Sequence, residues 1–114
     1  MGKGFQAKAV VSPQMRMRIL SVKVDGTGTA SVSGTCSNNV SLTDNGTGDY
    51  TITFLTPFLR APEVIATPVT DNIYCKVGTV AVGSVQILTE NLSGSATDAD
   101  FHLIILGSDS ADQI

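Results

Sequence analysis

Asp44-Asn45-Gly46-Thr47-Gly48-Asp49-Tyr50-Thr51-Ile52-Thr53-Phe54 reads as a turn leading into a strand. Its first six residues are almost all Asp, Asn and Gly, which bond their own backbone or tolerate positive φ and so favour tight reversals. From Tyr50 the side chains alternate. Tyr50, Ile52 and Phe54 point one way, Thr51 and Thr53 the other. A period of two is that of a half-buried antiparallel strand, dry on one face and wet on the other.

The same period recurs outward from this stretch. Val40 and Leu42 alternate with Ser41 and Thr43; Ala30 and Val32 alternate with Ser31 and Ser33. Val22 and Val24 flank Lys23, and Asp25-Gly26 after them is a hairpin signal. With 114 residues, 42% hydrophobic and 15% charged, and eleven glycines, the chain suits one β-rich domain and is not the composition of a disordered or helical one. No repeat, low-complexity tract or helical period interrupts it, and Ser93–Asp98 reads as a polar loop. The expected fold is an all-β antiparallel sandwich, jelly-roll-like in order, over residues 19–114.

Two places break the alternation. Met15, Met17 and Ile19 are apolar at odd positions, whereas Leu20, Val22 and Val24 are apolar at even ones. Such a one-residue switch predicts a bulge, or a strand that changes packing partner. In Phe101–Leu106 both faces are apolar: Phe101, Leu103 and Ile105 on one, Ile104 and Leu106 beside His102 on the other. A two-layer domain covers one side of each sheet, so the face of His102, Ile104 and Leu106 is expected to meet a neighbouring subunit.

A mean hydropathy of +0.22 is high for a small soluble chain and asks for a membrane or a partner. The apolar runs fall far short of the ~20 residues of a spanning helix. Met1-Gly2-Lys3-Gly4-Phe5-Gln6 carries neither a signal-peptide core nor the Ser or Thr that myristoylation wants at position six. Synthesis in a cytoplasm without membrane insertion is expected, with export only inside an assembly.

Charge is divided along the chain. Residues 1–24 hold Lys3, Lys8, Arg16, Arg18 and Lys23 with no acid, whereas residues 25–114 set Arg60 and Lys76 against ten acids. A basic leg on an acidic body suits docking on an acidic partner surface, with Lys3, Lys8, Met15, Arg16, Met17 and Arg18 as the docking residues of a leg spanning 1–18. Nucleic acid is not an expected partner, because the body would repel phosphates and no aromatics interleave with the bases.

Catalytic chemistry finds little to work with. His102 is the single histidine, and although Asp100 shares its parity nothing marks a nucleophile beside it. No metal or cofactor is expected: there is no CxxC pair, and the Asp44–Asp49 loop misses the spacing of a calcium loop. Gly26-Thr27-Gly28 and Gly46-Thr47-Gly48 lack the Lys-Ser/Thr and helix of a phosphate loop. Cys36 and Cys75 can form one bridge, but a cytoplasmic origin favours free thiols. For stacking on a sugar, the aromatics left over from the core are Phe5, Phe58 and Tyr74.

Beyond composition, Asn45–Phe58 followed by Ala61-Pro62-Glu63-Val64-Ile65-Ala66-Thr67-Pro68 resembles a module of bacteriophage tail-fibre and related virion proteins. There a Gly-x-Gly-x-Tyr turn opens a Thr/aromatic strand, and a Pro precedes a Val/Ile/Ala strand. Asp98–Gly107 is similar to the module's closing strand, and the likeness spans most of residues 29–107. The resemblance implies a trimeric β-sandwich on the surface of a virion and carries no catalytic residues. Tail fibres usually set such a module at the end of a long shaft, and residues 1–18 match no part of it. A stand-alone capsid-decoration, head-fibre or tail-associated protein, docked on a capsid or tail protein, is therefore expected. The alternative is an adhesin whose loops around Asn72 and Tyr74 or Ser93–Asp98 touch host surface glycan or protein.

Overall fold

The computed structural model describes residues 16–109, which form eight strands: β1 (Met17–Asp25), β2 (Ser31–Ser33), β3 (Val40–Gly46), β4 (Asp49–Phe54), β5 (Glu63–Pro68), β6 (Ile73–Val80), β7 (Ser84–Asn91) and β8 (Phe101–Ser108). One short 3-10 turn, Ser37–Asn39, precedes β3. The alternating segments become strands for the reason their sequence suggests. Burying every second side chain against a facing sheet removes it from water, at about 1.5–3 kcal/mol for each large aliphatic.

Two antiparallel four-stranded sheets result, sheet A in the order β2-β1-β8-β5 and sheet B in the order β3-β4-β7-β6. The core lies between them. Leu20, Val22 and Val24 of β1 and Phe101, Leu103 and Ile105 of β8 face Tyr50, Ile52 and Phe54 of β4 and Val85 and Ile87 of β7. Tyr50 and Phe101 meet with their ring centroids 5.5 Å apart.

The architecture is the expected all-β sandwich, with a different strand order from a jelly roll. A jelly roll pairs first strand with last, second with seventh, and so inward. Here that nesting holds for β1 with β8 alone, while β1–β2, β3–β4 and β6–β7 are local hairpins. Short turns at Gly26–Ala30, Gly46–Asp49 and Ala81–Gly83 keep these consecutive strands in one sheet.

The parity switch also resolves differently. β1 pairs with β8 without a register shift from Met17↔Ser108 to Val24↔Phe101, so there is no bulge at Ile19–Leu20. Met17 and Ile19 simply face outward. The strand begins at Met17, which places Arg18 inside the sandwich and moves the start of the body ahead of residue 19.

Every strand runs between the same two ends. At the base lie the start of β1, the end of β8 and the loops 55–62 and 81–83. At the tip lie the turns 26–30 and 47–48 and the loops 69–72 and 92–100.

Candidate interaction surfaces

The two outer faces differ sharply. On sheet B, Ser41, Thr43, Thr51, Thr53, Gln86, Tyr74, Lys76 and Glu90 share the face with half-buried Leu88. Tyr74 Oη donates to Glu90 Oε1 at 2.7 Å, and Lys76 Nζ lies 2.9 Å from Glu90 Oε2. These contacts, the tyrosine hydroxyl first, hold the Glu90 carboxyl below its usual range and raise the Lys76 ammonium.

On sheet A the outer face has an aliphatic centre. Ile19 stands opposite Leu106, and Ile65 opposite Ile104, on three adjacent strands. Met17, Ile19, Ile65 and Ile104 are 52%, 60%, 61% and 45% exposed, and Leu106 is half-buried. His102 shares this face toward the tip, where the register sets Ser33, Lys23, His102 and Thr67 side by side. The sequence-derived interface residues His102, Ile104 and Leu106 thus lie together. Met17, Ile19 and Ile65, which single-strand reasoning did not join to them, complete the patch.

The base is built around Arg18. Its guanidinium donates to Thr56 O at 2.6 Å, to Pro57 O at 2.9 Å and to Asp109 Oδ1 at 3.1 Å, and stacks 4.0 Å over the Phe58 ring. Phe58 in turn fills the space left by Gly107, which pairs with Arg18 and could not carry a Cβ without striking that ring. Arg18 therefore closes the core and is not free for docking; buried Phe58 is likewise no platform for a sugar. Around this lock the base exposes Leu55 (74%), Leu59 and Val82, with Arg16 and Arg60 beside them. Lys3, Phe5, Lys8 and Met15 lie outside the described residues.

The tip carries most of the acids: Asp25, Asp44, Asp49, Asp71, Glu90, Asp98 and Asp100, against Glu63 and Asp109 at the base. Two of them act as latches. Asp98 Oδ1 accepts from Gly48 N at 2.8 Å and lies 3.0 Å from the buried Tyr50 hydroxyl, which also sits 3.1 Å from Gly26 O. Asp100 Oδ1 accepts from Gly26 N at 3.1 Å. Gly48 has φ +64, and a Cβ there would sit 2.4 Å from Thr89 O; at Gly26 it would come within 2.2 Å of Ala99 O. Burial, then the Asp98 contact, push the Tyr50 hydroxyl up to about 12. The Gly-x-Gly-x-Tyr turn and the Asp98-Ala99-Asp100 segment, about fifty residues apart in sequence, are the two halves of one hydrogen-bonded closure. Beside it, Asn72 (φ +60) and Tyr74 (38% exposed) stand at the tip with Leu92.

Reactive groups are dispersed. Asp100 spends its carboxylate on Gly26 rather than on His102. Among the described residues no three His, Cys, Asp or Glu side chains converge on a metal-sized site, and no helix is long and apolar enough to cross a membrane. Both thiols are free, Cys36 beside β1 and Cys75 on β6 at the far edge of the other sheet. Burial pushes the Cys75 thiol up to about 11, which favours its protonated form at neutral pH. Comparison with protein-family models, curated proteins and solved structures found no match.

Proposed function

We propose that this chain is a non-enzymatic structural protein of a bacteriophage virion, a homotrimeric surface module that docks through its basic N-terminal segment and base and displays its acidic tip. The observation that carries the reading is the sorting of charge along the strand axis. Arg16, Arg60 and exposed Leu55, Leu59 and Val82 gather at the end where the basic segment enters, beside Glu63 and Asp109, and the other seven acids of the described residues gather at the opposite end. A basic, partly apolar end suits an acidic capsid or tail surface, and an acidic tip is repelled from it. The resemblance of Asn45–Pro68 and Asp98–Gly107 to virion modules supports the particle context, and the aliphatic outer face of sheet A supports the oligomer.

The test uses full-length chain with Lys3, Lys8 and Arg16 changed to Gln, mixed with particles assembled without it. Binding at low ionic strength is expected to fall at least roughly tenfold, with the wild-type affinity itself declining as salt rises. Undiminished binding refutes docking by this end.

A receptor-binding role is the second reading, favoured by the placement of Asn72 and Tyr74 at the end opposite Arg16. It predicts binding to host cells or to a glycan array that is lost when both are changed to Ala. A wild-type protein that binds neither refutes it.

A further inference from the structure

The hairpin between β3 and β4 carries a chemical weak point in its backbone. Asn45-Gly46 is the only Asn-Gly pair in the sequence. An asparagine is labile when the next peptide nitrogen can reach its side-chain carbonyl carbon and close a five-membered ring, and a following glycine leaves that approach uncrowded. The other asparagines, Asn38, Asn39, Asn72 and Asn91, precede Asn39, Val40, Ile73 and Leu92, whose side chains crowd it. The fold adds room at the same place. Asn45 is the extra residue of a bulge, unpaired between Asp44↔Tyr50 and Gly46↔Asp49. Asn45 and Gly46 are both exposed, Gly46 has φ +132, and nothing lies within 4 Å of where its Cβ would stand.

Asp25-Gly26, open to the same ring closure by its sequence, is shielded by the fold. Gly26 is buried and its N–H donates to Asp100 Oδ1 at 3.1 Å, while Asp25 Oδ1 accepts from Thr27 N at 3.1 Å and Thr27 Oγ1 at 2.9 Å. The Thr27 bonds, its hydroxyl first, hold the Asp25 carboxyl below its usual range, and an ionised carboxylate resists a nucleophile.

We propose that Asn45–Gly46 is a site of spontaneous deamidation through a succinimide, and that the Thr51 hydroxyl governs its rate. The Gly46 nitrogen gives its proton to hydroxide and bonds to Asn45 Cγ. The Cγ–Nδ2 bond then breaks, and the nitrogen takes a proton from water and leaves as ammonia. Water opens the imide at either carbonyl, giving aspartate or isoaspartate, with no change of oxidation state. In the folded chain both reacting groups are engaged elsewhere. Asn45 Nδ2 donates across the hairpin to Thr51 Oγ1 at 2.7 Å and to Asp49 Oδ1 at 3.3 Å, and Gly46 N donates to Asp44 Oδ1 at 3.0 Å. The Thr51 bond is the shortest of the three and holds the carboxamide over β4. Conversion reverses this contact: a carboxylate at position 45 faces Asp49 where an amide donated, and the acidic tip gains one more negative charge. This chemistry needs no partner and stands apart from the virion reading.

The test is peptide mapping by mass spectrometry of full-length protein aged in warm, mildly alkaline buffer. Thr51→Val and Thr51→Ser are aged alongside, with wild type in urea as the unrestrained reference. A gain of about one dalton is expected at Asn45 ahead of the other four asparagines, partly as isoaspartate, and more slowly in the folded chain than in urea. T51V keeps the shape of the strand residue and loses the hydroxyl. It is expected to convert roughly three- to tenfold faster at Asn45 alone, the factor that one net hydrogen bond is worth; T51S should match wild type. Conversion led by another asparagine, or an Asn45 that stays intact in the folded chain while it converts in urea, overturns the site. An unchanged rate in T51V, or an acceleration shared by the other asparagines, overturns the role of Thr51.

Discussion

Replacing Tyr50 by Phe removes one hydroxyl from the closure at the tip and tests its energetics closely. The hydroxyl stands 3.0 Å from Asp98 Oδ1 and 3.1 Å from Gly26 O, inside a fully buried residue. Hydrogen bonds to charged groups contribute about 1.5–3 kcal/mol, and Asp98 keeps the Gly48 N–H at 2.8 Å, so a loss of about 2 kcal/mol is expected at pH 7. For a domain of this size that lowers Tm by roughly 10 °C. The pH dependence gives an independent handle. The folded hydroxyl titrates near 12, the unfolded one near 10. Below pH 10 both states are neutral and the stabilisation is complete. Between 10 and 12 the unfolded chain loses its proton first, so this contribution fades with rising pH, by up to about 2–3 kcal/mol. Phe has nothing to ionise. Urea unfolding of wild type and Y50F from pH 7 to 12 should therefore show a stability gap of about 2 kcal/mol that closes toward pH 12. Effects of Tyr74 and the lysines cancel in that difference. A gap below about 0.5 kcal/mol at pH 7, or one that stays constant to pH 12, refutes the reasoning.

Arg18→Ala should cost about 2–4 kcal/mol in urea unfolding, because it uncaps two carbonyls and the Phe58 ring, and Lys in its place should recover little, lacking the planar fork. Gly26→Ala is expected to destabilise by at least about 2 kcal/mol, since the new methyl meets Ala99 O and the Tyr50 hydroxyl, whereas Gly83→Ala, which meets nothing, should leave the urea midpoint nearly unchanged. Cys75 should react slowly with Ellman's reagent at pH 8, accelerating toward pH 11 or in denaturant; fast reaction in the native state would contradict its burial.

The sequence by itself determined which residues turn inward. Leu20, Val22 and Val24, then Tyr50, Ile52 and Phe54, then Phe101, Leu103 and Ile105 follow from a period of two, which each strand writes locally. It also separated the two faces of β8. What only the tertiary structure decided is which strands are neighbours. An apolar residue off the core parity, such as Ile19, reads alike whether it marks a bulge or an outward patch. Its cross-strand partner Leu106 is assigned by pairing distant in sequence, and that pairing makes it a patch with Ile65 and Ile104. Arg18 is the same lesson in a charge. Its sequence neighbours suggested a docking leg, but its partners lie 38, 39 and 91 residues away, and a guanidinium takes its role from the acceptors that surround it.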